Sequence, residues 1–126
     1  MNEILIQEII STFNKLDSEN RDVEDQQITV SGIKYGFKII ENTGWEDDDK
    51  YDFKTTISQL VSYDEKWNVI DKFDIYVEQH SSRTGSYYTD WYLNYDEIER
   101  IKRVEKIISE QIIPEHIIIE WVKENS

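Results

Sequence analysis

The 126-residue chain contains no cysteine, which excludes disulfide staples, thiolate nucleophiles and Cys-based zinc or iron–sulfur centres. It has one proline, and its four glycines stand apart at positions 32, 36, 44 and 85. That leaves no flexible linker, no Walker loop and no GxGxxG turn, so nucleotide binding through those motifs is excluded. No apolar run approaches the roughly 20 residues of a membrane span, and the first residues, MNEILIQEII, carry acids instead of a basic leader. The expectation is a cytoplasmic protein without a membrane contact. Basic side chains are scarce: 14 Lys and Arg face 27 Asp and Glu, a net charge of −13. Such a field repels a phosphate backbone, so direct nucleic-acid binding is not expected.

The acidity is even along the chain, with 6 basic and 13 acidic side chains in residues 1–63 and 8 and 14 in residues 64–126. It belongs to the fold and not to a tail. What is plentiful is apolar mass: 38% hydrophobic residues, 13% aromatic, enough for one domain over residues 1–126 that buries about two thirds of its unfolded surface.

Leu5, Ile6, Ile9, Ile10, Phe13 and Leu16 recur at spacings of three and four, with Glu3 at the start. This predicts an amphipathic helix over residues 3–16. Residues 17–25, DSENRDVED, hold five acids and one Arg without period and read as a solvated loop.

From residue 27 the period becomes two. Ile33, Tyr35, Phe37 and Ile39 alternate with polar neighbours or glycine; so do Tyr51, Phe53, Thr55, Ile57 and Val61; so do Val69, Phe73, Ile75 and Val77. Each segment reads as a half-buried antiparallel strand, joined by the connections NTGWEDDDK and SYDEKWN, with a short extra strand at Ile28 and Val30. Tyr35, Phe37, Phe53, Ile57, Phe73, Ile75 and Trp91 are expected on one side of the sheet, against Ile9 and Phe13. A further strand over residues 87–95 follows the turn HSSRTGS. In residues 96–113, Asp96 and Glu99 look like a capping box before Ile101, Val104, Ile108 and Ile112. A second helix is preferred there, although the β-branched residues suit a strand equally. Pro114 ends it, and residues 117–122, IIIEWV, form a last strand. The fold class is α+β: an antiparallel meander of four to six strands with the N-terminal helix on one face and a possible second helix near the C-terminus.

Chemistry is thin. The histidines are His80, beside two serines, and His116, and adjacency alone builds no catalytic triad. Glu46, Asp47, Asp48, Asp49 and Asp52 crowd oxygens onto one connection, but EF-hand spacing fails for lack of the sixth-position Gly and twelfth-position Glu. No cofactor, metal or enzymatic activity is expected. Residues 83–95, RTGSYYTDWYLNY, put five aromatics into nine positions. Tyr88 and Tyr92 either line a sheet face covered by the second helix or stand exposed around Asp90 as interface anchors, with Trp45 beside the acidic connection.

The stretch from Gly85 to Tyr92, GSYYTDWY, preceded by DIYVEQHSSR and followed by IIIEWV, resembles small accessory proteins of bacteriophages and mobile elements. The resemblance implies a phage or mobile-element context in which small, acidic, cysteine-free domains bind host enzymes. On that basis the chain is expected to be a non-enzymatic inhibitor, counter-defence in role (anti-CRISPR or anti-restriction), that partly mimics DNA and occupies a basic surface of a host or defence nuclease. The candidate contacts are Trp45, Asp47, Asp48, Asp49, Tyr88, Asp90 and Tyr92. An immunity protein neutralising a toxin, or a structural module whose acidity secures solubility, are the alternatives.

Overall fold

The computed structural model describes residues 1–48, 51–86, 89–108 and 116–123, with side chains described at 1–46, 52–84, 93–103 and 119–123. Helix α1 (Glu3–Asn14) starts where Asn2 accepts the Leu5 amide at 2.8 Å through its side chain, and it buries Ile6, Ile9 and Phe13. Eight described strands follow in one antiparallel sheet: β1 (Gln27–Val30), β2 (Ile33–Asn42), β3 (Glu46–Asp48), β4 (Tyr51–Tyr63), β5 (Val69–Ser86), β6 (Thr89–Tyr95), β7 (Glu99–Ile108) and β8 (His116–Lys123). Their order is β1-β2-β4-β5-β7-β8, with β3 beside the start of β4 and β6 beside the end of β5. The two long central strands thus outrun the main sheet, and short strands flank their free length.

The helix packs its stripe on one face. Phe13 meets Phe37 edge-on at 5.4 Å between ring centroids, and the core adds Val23, Ile28, Val30, Tyr35, Leu60, Ile75, Val77 and Ile98. Phe73 packs against it, partly buried. Tyr35 and Phe37 of β2 and Phe73, Ile75 and Val77 of β5 therefore face the helix, as their alternation predicts, whereas a register shift pairs Val69 with Tyr63 on the other face. Strand β4 does the reverse. Phe37 pairs with Leu60 and Val77 with Ser58, so the even positions of β4 point to the helix. Ile57 and Val61 are buried on the opposite face, and Phe53 is 48% exposed. The expectation of a shared odd parity fails in β4 because this central strand is apolar on both faces and carries Thr56, Ser58 and Ser62 towards the core. Trp91 lies outside the described side chains.

Three further expectations are corrected. Residues 99–108 are strand and not helix: β7 pairs with β8 from Ile101 to Ile108 and with β5 at Tyr76, Val77 and Glu78. Sheet pairing outweighs the Asp96–Glu99 capping signal because β-branched residues fit a pleated surface better than a helix. Residues 80–86 continue β5 instead of turning, since Tyr51 to Thr55 supply ladder partners for His80 to Thr84. Among the described residues the sheet has eight strands, above the four to six expected, because residues 46–48 and 99–108 also pair.

Residues 17–25 are also better anchored than a solvated loop. Ser18–Asn20 form a 3-10 turn and Val23 is buried. Arg21 donates to the carbonyls of Asn14, Leu16 and Tyr95, and the buried Gln79 amide donates to the carbonyls of Arg21 and Asp96. The sequence shows acids there; the structure fixes their positions.

Candidate functional site

The acidic connection is partly strand. Asp47 and Asp48 lie in β3, in register with Asp52 and Tyr51, and Asp49 is outside the described residues. Trp45 is no free anchor: it is half-buried, with Lys54 Nζ 4.6 Å and the Arg83 guanidinium 4.5 Å from its ring centroid. Arg83 in turn donates from Nε to the buried Asp52 at 2.7 Å. Asp52 and Arg83 are direct cross-strand partners, so the ladder itself sets this ion pair. Tyr88 lies outside the described residues. Asp90 and Tyr92 sit on β6, Tyr92 in register with Thr84, and their side chains are outside the described set.

His80 does find partners, though not the adjacent serines. Thr55 Oγ1 is 3.0 Å from Nδ1 and Glu78 Oε1 2.8 Å from Nε2, a hydroxyl–imidazole–carboxylate chain on the face away from the helix. The His80 side chain is 55% exposed, and water competes at both nitrogens. Among the described residues no group of three or more His, Asp or Glu could hold a metal ion, and no helix is long and apolar enough to cross a membrane.

Two features on the helix side lie outside the contact residues expected from the sequence. The first is a cleft of about 380 Å³ where the β4–β5 turn meets the start of β2, lined by Ile33, Tyr35, Phe73 and Ile70, by Asp64, Glu65 and Asp71, and at its edge by Lys34 and Tyr63. Tyr35 and Phe73 pack at 6.4 Å to form its floor. Ile33 is 45% and Ile70 57% exposed. Alternation assigned Ile33 to the core; what it could not show is that the helix stripe ends before covering this end of the sheet.

The second is the anchored acidic loop. Asp17, Glu19, Glu24, Asp25, Asp96 and Glu97 are exposed. The buried Tyr95 registers their field: desolvation, then Asp22 by charge and hydrogen bond, then Asp25 and Glu24 push its hydroxyl up to about 12. A cleft with apolar walls and acidic rim, and an ordered acidic ridge on the same side of the sheet, can receive an apolar side chain flanked by Lys or Arg.

No curated protein and no solved structure matches the chain. The phage context implied by residues 85–92 rests instead on a match that spans nearly the whole chain: over residues 1–123 it belongs to the Phage T4 Y04K protein family.

Proposed function

We propose that this phage protein is a non-enzymatic inhibitor that occupies a basic surface of a host nucleic-acid enzyme. The observation that carries the reading is the helix-side cleft, whose exposed Ile33 and Ile70 stand inside a rim of Asp64, Glu65 and Asp71. Apolar pockets ringed by charge are where interface anchors dock, while the surrounding field sets encounter rate and rejects acidic competitors. The acidic loop over residues 17–25 extends that field, and its hydrogen bonds through Arg21 and Gln79 hold it ready before binding. A counter-defence role against a restriction or CRISPR nuclease fits a phage protein with this surface.

The test is affinity capture from host lysate at low and at high salt, with wild-type protein and with Ile70→Asp. The reading expects a basic nucleic-acid enzyme on the wild type at low salt, less of it at high salt and little on Ile70→Asp. Equal capture by both proteins, or no basic partner, contradicts it.

A further inference from the structure

The face of the sheet away from the helix carries Glu78 and Glu99 at one end and a group of lysines and aromatic rings at the other. Register places Lys34, Gly36 and Lys38 of β2, Val61 and Tyr63 of β4, and Lys72 and Tyr76 of β5 on that face. Lys34 Nζ lies 4.3 Å from the Trp67 ring centroid and Lys38 Nζ 5.7 Å from that of Tyr63. Tyr63 and Trp67 meet edge-on at 5.8 Å, and Tyr76 packs on Trp121 at 4.9 Å. Three lysines thus share this face with four aromatic rings, of which Tyr63 is buried and Trp67 is half exposed.

Trp67 is the unusual member. It has φ 63, the left-handed region that a bulky residue enters at a cost, and it is 51% exposed. The turn around it is tightly made: Asp64 accepts the amides of Lys66 and Asn68 at 2.8 and 2.9 Å, the Asp64 amide donates to the Asn68 carbonyl at 2.9 Å, and Trp67 N donates to the Asp64 carbonyl at 3.1 Å. Glycine or asparagine satisfies that backbone better. Inside the fold the Trp67 ring meets the Tyr63 edge and Lys34, and half of its surface is left in solvent at a rigid hairpin tip, a placement that suits a ligand contact.

We propose that this face binds single-stranded nucleic acid, with Trp67 as the stacking platform and Lys34, Lys38 and Lys72 against the phosphates. Aromatic rings on a sheet with adjacent cations are the recurring solution for unpaired bases, because every base offers a π face. The net charge of −13 does not forbid it. The acidic loop lies on the other side of the sheet, and at about 0.15 M salt charges are screened over roughly 8 Å. Of the nearby acids, Asp64 is held in the turn and Asp74 against the Tyr76 hydroxyl, while Glu65 stands exposed beside Trp67. Lys34 and Tyr63 also line the cleft, whereas Trp67, Lys38 and Lys72 do not, so substitutions at those three residues test this face and Ile70→Asp tests the cleft.

The experiment titrates a fluorescently labelled single strand of about 20 nucleotides, long enough for more than one site of this size, with wild type, Trp67→Gly and Lys38→Glu/Lys72→Glu, followed by anisotropy and by melting of each protein. A duplex and a polyglutamate peptide are parallel probes. The expected result is salt-sensitive binding of the single strand by wild type, weakened about tenfold or more in Trp67→Gly although that variant melts at the same or a higher temperature, and lost in the double lysine variant. Failure of wild type to bind the strand at low salt overturns the proposal. So does equal binding by Trp67→Gly, equal affinity for duplex, or tighter binding of polyglutamate, which would make the face a dock for an acidic protein.

Discussion

Asn14 and Ile98, 84 positions apart, exchange two hydrogen bonds: Asn14 Nδ2 donates to the Ile98 carbonyl at 3.1 Å, and the Ile98 amide donates to Asn14 Oδ1 at 2.8 Å. One side chain ties the last turn of α1 to the β6–β7 connection. Because Ile98 is 2% exposed, removing the partner strands a buried amide and carbonyl. Asn14→Ala should cost about 2–3 kcal/mol in urea unfolding, more than an exposed helix substitution.

Gly36 and Tyr63 form a second dependency. A Cβ at Gly36 would come within 2.7 Å of Tyr63 Cε2 and 2.9 Å of its hydroxyl. Gly36→Ala should therefore displace the Tyr63 ring and cost about 1–3 kcal/mol. Combined with Tyr63→Ala, most of that cost should vanish, so a double-mutant cycle measures the coupling directly.

How much of this was legible depends on what each residue's signal competed with. The α1 stripe was readable because Ile6, Ile9 and Phe13 follow the helical period with nothing against it. Strands β2 and β5 were readable for the same reason. Strand β4 was not, because Leu60 and Val61 are both buried and a strand apolar on both faces has no parity to read. The acidic character of the surface was evident from composition, whereas the cleft at Ile33 and Ile70 depends on where the helix stops, and that is a tertiary fact. Trp67 carried a signal: a tryptophan in the turn DEKWN has no core to enter. The pairing of Asp47 and Asp48 in β3 and the Lys54 and Arg83 contacts of Trp45 leave no trace in the sequence, which is why it points to that connection.

The parity correction has its own test. Leu60→Ala should cost about 2–5 kcal/mol, since Leu60 is fully buried in the helix-side core. Phe53→Ala, at a half-exposed site, should cost clearly less. Thermal or urea unfolding of the two variants decides which face of β4 the core occupies.

Alkaline pH should unfold the protein through its buried tyrosines. Burial raises Tyr35 and Tyr76 above their usual value and, with Asp22, pushes Tyr95 up to about 12. The native state therefore holds these protons more tightly than the unfolded chain, whose tyrosines titrate near about 10. For Tyr95 the contribution is complete below about pH 10 and is lost as pH rises through about 12. Urea unfolding at several pH values should show Tyr95→Phe losing less stability than wild type across that window.

The helix-side cleft as a protein dock is tested most directly by the pair of rate constants for the captured partner, measured by surface-binding kinetics at several salt concentrations. Ile70→Asp should speed dissociation tenfold or more, while Glu65→Gln with Asp71→Asn should chiefly slow association and flatten its salt dependence. Unchanged association and dissociation in Ile70→Asp, with the fold intact, would contradict it.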